Sequence, residues 1–113
     1  MAVVIETFFS VGVLDMKRAT RFYEEALGAS VTFAYDGWTS LRISGVRLGL
    51  ALAPLHEGAT TGLHFAVGGL AAAVDDVVRA GGKVVRASVE VAPGVLVGDV
   101  VDTEGNGFTL AQR

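Results

Sequence analysis

Few side chains in this sequence can do chemistry, and most sit on alternating, strand-like stretches. His64 lies where Leu63, Phe65 and Val67 share one face and Gly62, His64 and Ala66 share the other. A neutral imidazole there can hydrogen-bond a ligand or move a proton. The alternative is a partly buried histidine satisfied by a neighbour such as Ser10. Trp38, Ser40 and Arg42 share one strand face, opposite Thr39, Leu41 and Ile43. If that face lines a cleft, Trp38 offers a stacking plate and Arg42 an anchor for an anion or a carbonyl. Otherwise Trp38 plugs a barrel or a subunit interface. Asp99 stands in an apolar strand, a general base if buried and a solvated or turn-bound carboxylate if not. Arg47, Arg86, Ser88 and Glu90 alternate with apolar neighbours, either facing a cleft or, as charged strand residues usually are, solvated. His56, beside Glu57 and Gly58, reads as a surface histidine. No Ser-His-Asp spacing, phosphate loop or paired-carboxylate motif appears.

Composition narrows the partners. At 113 residues the chain reads as one domain, 1–113, with room for one hydrophobic core. Hydrophobic residues make up 51%, which excludes a disordered chain. The net charge of −3, without a basic run, argues against nucleic acid. The absence of cysteine removes disulfides and thiolate metal sites. Apolar stretches are broken by Gly and charge before membrane-span length, and no signal peptide is recognisable, so the expectation is a cytoplasmic protein with no membrane partner.

The elements that must position these residues occur twice. Val11 to Val31 and Phe65 to Val85 follow one plan, with Val13, Ala19, Ala26, Gly28 and Val31 falling on Val67, Ala73, Ala80, Gly82 and Val85. The first copy predicts a strand from Ile5 to Val13, then a helix with Asp15 as N-cap and Gly28 as its C-terminal stop. Ala19, Phe22, Tyr23, Ala26 and Leu27 form its apolar stripe. Strands follow at Val31 to Tyr35, Trp38 to Ser44 and Arg47 to Ala53, with Asp36-Gly37 and Ser44-Gly45 as tight turns. Pro54 to Thr61 is a polar connector. The second copy predicts a strand around Leu63 to Val67, a helix ending at Gly81-Gly82, and strands near Val84 to Val91, Leu96 to Val101 and Phe108 to Gln112. Each half is strand, helix, three strands. The fold class expected is α+β, with two βαβββ modules (about 1–55 and 60–113) forming an incomplete barrel around a cleft.

The string Val13-x-Asp15-Met16-x-x-Ala19-x-x-Phe22-Tyr23-x-x-x-Leu27-Gly28, with Asp102-x-Glu104-Gly105-Asn106 before the last strand, resembles the vicinal oxygen chelate superfamily. That is the group of glyoxalases, bleomycin-resistance proteins and extradiol dioxygenases. The resemblance covers essentially the whole chain. It implies four metal-ligand positions in metal-dependent members, usually His, Gln or Glu, which fall here on Phe8, Gly49, Gly62 and Thr109. Phe and Gly carry no donor atom and a lone threonine hydroxyl is a poor ligand, so no metal and no cofactor are expected. In this frame Glu104 and Asn106 serve the turn.

Metal-free members of that family sequester compounds against aromatic side chains. The function implied is therefore a metal-independent small-molecule-binding protein, holding an aromatic or antibiotic-like compound in a site formed by Phe8, Ser10, Trp38, Arg42, His64 and Thr109. The alternative is a metal-free isomerase, cyclase or lyase with His64 or Asp99 as base; a metal-dependent glyoxalase or dioxygenase ranks third. A homodimer is expected, since sheet edges left by two short modules need cover. Whether modules pair within a chain or between chains is open at this level.

Overall fold

Repetition in the sequence becomes repetition in space. The computed structural model describes all 113 residues. Its elements run β1 (Phe9–Val13), α1 (Met16–Leu27), β2 (Ser30–Tyr35), β3 (Trp38–Ile43), β4 (Val46–Leu52), β5 (Thr60–Val67), α2 (Leu70–Arg79), β6 (Lys83–Ala92), β7 (Val95–Val101) and β8 (Gly107–Gln112). They form two four-stranded mixed sheets, ordered β1-β4-β3-β2 and β5-β8-β7-β6. In each, the first strand pairs in parallel with the last and the other pairs are antiparallel. The fold is α+β with two βαβββ modules, and the sheets do not close.

Helix α1 begins as its sequence dictates. The Asp15 side chain accepts from the Arg18 amide at 3.1 Å, and Gly28 ends the helix at φ 66°. Ala19, Phe22 and Tyr23 are fully buried, on the face expected from their spacing. They share one core with Val13, Leu41 and Leu50 of module one and with Val77, Val100, Phe108 and Leu110 of module two. The rings of Phe22 and Tyr23 lie 6.3 and 6.4 Å from that of Phe108. Burial of each such ring contributes on the order of 2 kcal/mol. The two modules therefore pack helix sides together, and the opposite sheet faces remain open.

Two expectations change. The first strand starts at Phe9, not Ile5. Its one pairing neighbour is β4, which begins at Val46, and the parallel ladder opens with Phe9 opposite Leu48, so Ile5 and Glu6 fall beyond the start of β4. In β5 the ladder passes from Thr60–Gly107 to His64–Thr109, four residues against two, so the strand bulges through Gly62 at φ 73°. Gly62 is thus off the ladder while Phe8 precedes β1 directly, and the copies match in register from Ser10 and His64 onward. No helix is long and apolar enough to cross a membrane.

Candidate functional site

The registers align one row of residues across each open sheet face. In module one Ser10 pairs with Gly49, Gly49 with Ser40, and Ser40 with Phe33. In module two His64 pairs with Thr109, Thr109 with Asp99, and Asp99 with Arg86. The same four rungs are small and aromatic in one module and polar in the other.

The module-one face is built on an absence. Gly49 lies in β4, diagonal to Trp38 of β3, and a Cβ built on Gly49 would overlap the indole carbons Cζ2 and Cη2. The indole fills the space in which a side chain at position 49 would reach out. Phe8 meets Trp38 edge-on, with ring centres 6.4 Å apart. Phe33 and Tyr35 stack at 6.1 Å and 4°. Arg47 lies among these rings, its guanidinium carbon 4.3 Å from the centre of Phe8 and 5.5 Å from that of Phe33. Its Nε donates to Ser40 Oγ at 3.0 Å, and Nη1 donates to Glu6 Oε1 at 2.8 Å. Ser40 is fully buried, whereas Phe8, Phe33 and Tyr35 are exposed. Of the residues expected together, Phe8 and Trp38 meet. Arg42 does not join them: it donates to Gly45 O at 3.0 Å, in its own hairpin turn. Arg47, for which the sequence left a cleft and solvent both open, is the cation of this face. The signal missed was its cross-strand neighbourhood, which alternation along one strand does not carry.

The module-two face holds His64, Thr109 and Asp99 around a cavity of about 560 Å³. Thr109 Oγ1 donates to Asp99 Oδ1 at 2.7 Å, and Arg86 Nε forms an ion pair with Asp99 Oδ2 at 2.9 Å. Both carboxylate oxygens are engaged, one by the Thr109 hydroxyl and one by the Arg86 guanidinium. The Thr109 hydroxyl, having given its proton, presents lone pairs to the cavity. His64 is exposed, with Nδ1 3.0 Å from Gly62 O. Its contact is thus its own bulge, not Ser10, which sits on the other sheet.

The four positions implied for metal ligands do not form a metal site. Phe8 is an aromatic wall, Gly49 is covered by Trp38, Gly62 is in the bulge, and Thr109 is bonded to Asp99. Nowhere do three His, Cys, Asp or Glu side chains converge. This donor set does not fit the transition-metal or magnesium centres such scaffolds carry.

The turn before β8 does more than turn. Glu104 accepts from the Leu14 and Asp15 amides at 2.8 Å each, from Arg18 Nε at 2.8 Å and from Thr103 Oγ1 at 2.8 Å. Burial alone would raise its pKa; these donors, Arg18 foremost, bring it down to about 2. Asp102 accepts from Tyr23 OH at 2.6 Å, and burial followed by that carboxylate raises the phenol well above its ordinary value. Asn106 donates to Gly12 O at 2.8 Å, so its Oδ1 faces His56 Nε2 at 2.9 Å, which must carry the proton. His56, expected on the surface, is instead wedged between Gly12 and Asn106. These residues lock module two to α1 and β1.

The family model described as the glyoxalase, bleomycin resistance protein and dioxygenase superfamily matches residues 7–108. The chain belongs to that superfamily. Among solved structures, it superposes on a glyoxalase-related enzyme from Fulvimarina pelagi with a TM-score of 0.82 at 22% identity, covering 97% of this chain and 89% of that one. The fosfomycin resistance protein FosX from Listeria monocytogenes gives 0.83 at 12% identity, covering 99% and 95%. FosX from Mesorhizobium loti gives 0.79 at 16%, covering 99% and 94%. At these identities the likeness is one of fold. No curated protein sequence matches the chain.

Proposed function

We propose that this superfamily member is a metal-independent small-molecule-binding protein whose site is built on the aromatic face of module one. The observation that carries this reading is the Trp38 indole lying over Gly49, where the metal-dependent plan needs a ligand side chain. An aromatic platform with one guanidinium and few other polar groups suits planar organic compounds that carry a hydrogen-bond acceptor or an anion. Relatives of known structure that are named for fosfomycin resistance make antibiotic-like ligands a reasonable class to screen. Phe8 and Trp38 would stack on the ligand and Arg47 would orient it.

The aromatic face is an open surface, and the polar row of module two lies on a different sheet. We therefore infer a homodimer as the working form, its second copy covering the open faces. Solvent exposure along all of β2 and β6 supports this.

A second reading, a metal-free isomerase, cyclase or lyase, is favoured by His64, Thr109 and Asp99 sharing one cavity. Both oxygens of Asp99 are taken up by Arg86 and Thr109, which leaves His64 for the role of base. Equilibrium dialysis against an aromatic compound panel, with mass spectrometry of the bound fraction, tests the two. Recovery of one ligand unchanged at one equivalent per site supports binding; steady conversion into an isomer or elimination product supports the enzyme.

A further inference from the structure

The guanidinium at the centre of the aromatic face already holds a carboxylate, and that carboxylate comes from outside the fold. Glu6 lies in the segment before β1, which forms no helix or strand and is exposed throughout. Its side chain is 46% exposed, whereas that of Arg47 is 23% exposed. The arginine is thus enclosed by rings and by Ser40, and its acidic partner sits on the solvent side.

The donors of Arg47 are unevenly used. Nε is committed to the buried Ser40 Oγ, and Nη1 meets one oxygen of Glu6. Nη2 has no protein partner. A free edge made of Nη1 and Nη2 matches the two oxygens of one carboxylate, the strongest geometry a guanidinium offers. Glu6 takes half of it.

We propose that Glu6 is a built-in competitor, and that the ligand of this face is a planar aromatic acid whose carboxylate displaces Glu6 from Arg47 while its ring packs against Phe8 and Trp38. The inference rests on the proposed binding function and adds the ligand's chemical class and an occluding N-terminal strap. Displacement costs little, because an exposed carboxylate on an unpaired segment returns to water. An uncharged aromatic gains no such exchange. The strap thereby selects for ligands whose anion outcompetes a tethered one.

The test is calorimetric titration of 2-naphthoate and of its neutral isostere, 2-naphthamide, into the wild-type protein, Glu6→Ala and Arg47→Met. The expected result is tighter binding of the acid than of the amide. Glu6→Ala should tighten the acid by roughly two- to fivefold and leave the amide unchanged. Arg47→Met should weaken the acid at least about tenfold and erase its advantage. Because Glu6 is outside the folded elements, its variant keeps the test valid even if Arg47→Met melts early. Acid and amide binding equally, with no effect of Glu6→Ala, would overturn the proposal and leave aromatic binding standing. Failure of both probes to bind would overturn the binding function along with it.

Discussion

Trp38 and Gly49 occupy one space: the indole lies where any side chain on residue 49 would have to go. In the metal-dependent plan the last strand of module one offers a ligand there. Here the backbone offers nothing, and a ring from the adjacent strand fills the gap. Gly49→Ala should therefore expel the indole. The expected outcome is a red-shifted emission of Trp38, the sole tryptophan, with overpacking costing about 1–3 kcal/mol of stability. Fluorescence and denaturant titration check both.

Glu104 is the most heavily bonded side chain in the molecule, and its position makes acid sensitivity a property of the module junction. Its folded pKa of about 2 lies below the ordinary 4.5, so its contribution is present above pH 4.5 and is lost as pH falls towards 2. That contribution is about 3 kcal/mol by linkage, and Glu104→Gln should lose a similar amount while flattening the stability profile between those pH values. Tyr23 acts in the opposite sense. Its raised pKa gives stability that is intact below pH 10 and erodes above it, as the unfolded chain alone ionises the phenol. Tyr23→Phe should remove that alkaline loss in thermal melts taken from pH 8 to 11.

His64→Ala separates binder from enzyme. The hydrogen bond of the His64 side chain is to the Gly62 carbonyl and the residue is exposed, so its removal should leave the melting temperature within about 1 °C. Under the binding account it leaves aromatic-acid affinity within about threefold. Loss of a measurable turnover would instead promote His64 to the base of a metal-free reaction.

The fold was legible because its signals are local. Asp15 and Gly28 bracket α1, the stripe from Ala19 to Tyr23 marks its buried side, and paired turns punctuate the strands. The Ser44-Gly45 turn even pins the register that sets Trp38 diagonal to Gly49, with Ser44 at φ 48° and Gly45 at φ 81°. What could not be read was side-chain partnership across the chain. Glu104 bonds residues 90 and 89 positions away, and no spacing rule links Glu104 to Leu14 and Asp15. His56 looks solvated because its partner, Asn106, belongs to the other module's turn. The place of Arg47 could not be read along its own strand, because Phe8 comes from the segment before β1 and Phe33 from β2. Arg42 was the more visible cation, yet its guanidinium folds back on its own hairpin.

The dimer proposal makes its own prediction. β2 and β6 are exposed along their whole lengths, and Val85, Val91 and Tyr35 are more than half exposed. Light scattering coupled to gel filtration should give twice the 11.7 kDa chain mass, and Val91→Lys should shift the population towards the monomer. A monomer at all concentrations would mean that the aromatic face works uncovered.

The most direct test is thermal stability of chelator-treated protein with zinc, nickel, manganese or iron(II) in one series and aromatic acids in another. A species that binds only the folded state raises the melting temperature according to its affinity and concentration. The account predicts a rise with an aromatic acid, reduced in Gly49→Ala, and no rise with any of the metals. A metal-dependent rise abolished by chelator would contradict it, and would mean that ligands from outside the four vacated positions assemble a metal centre.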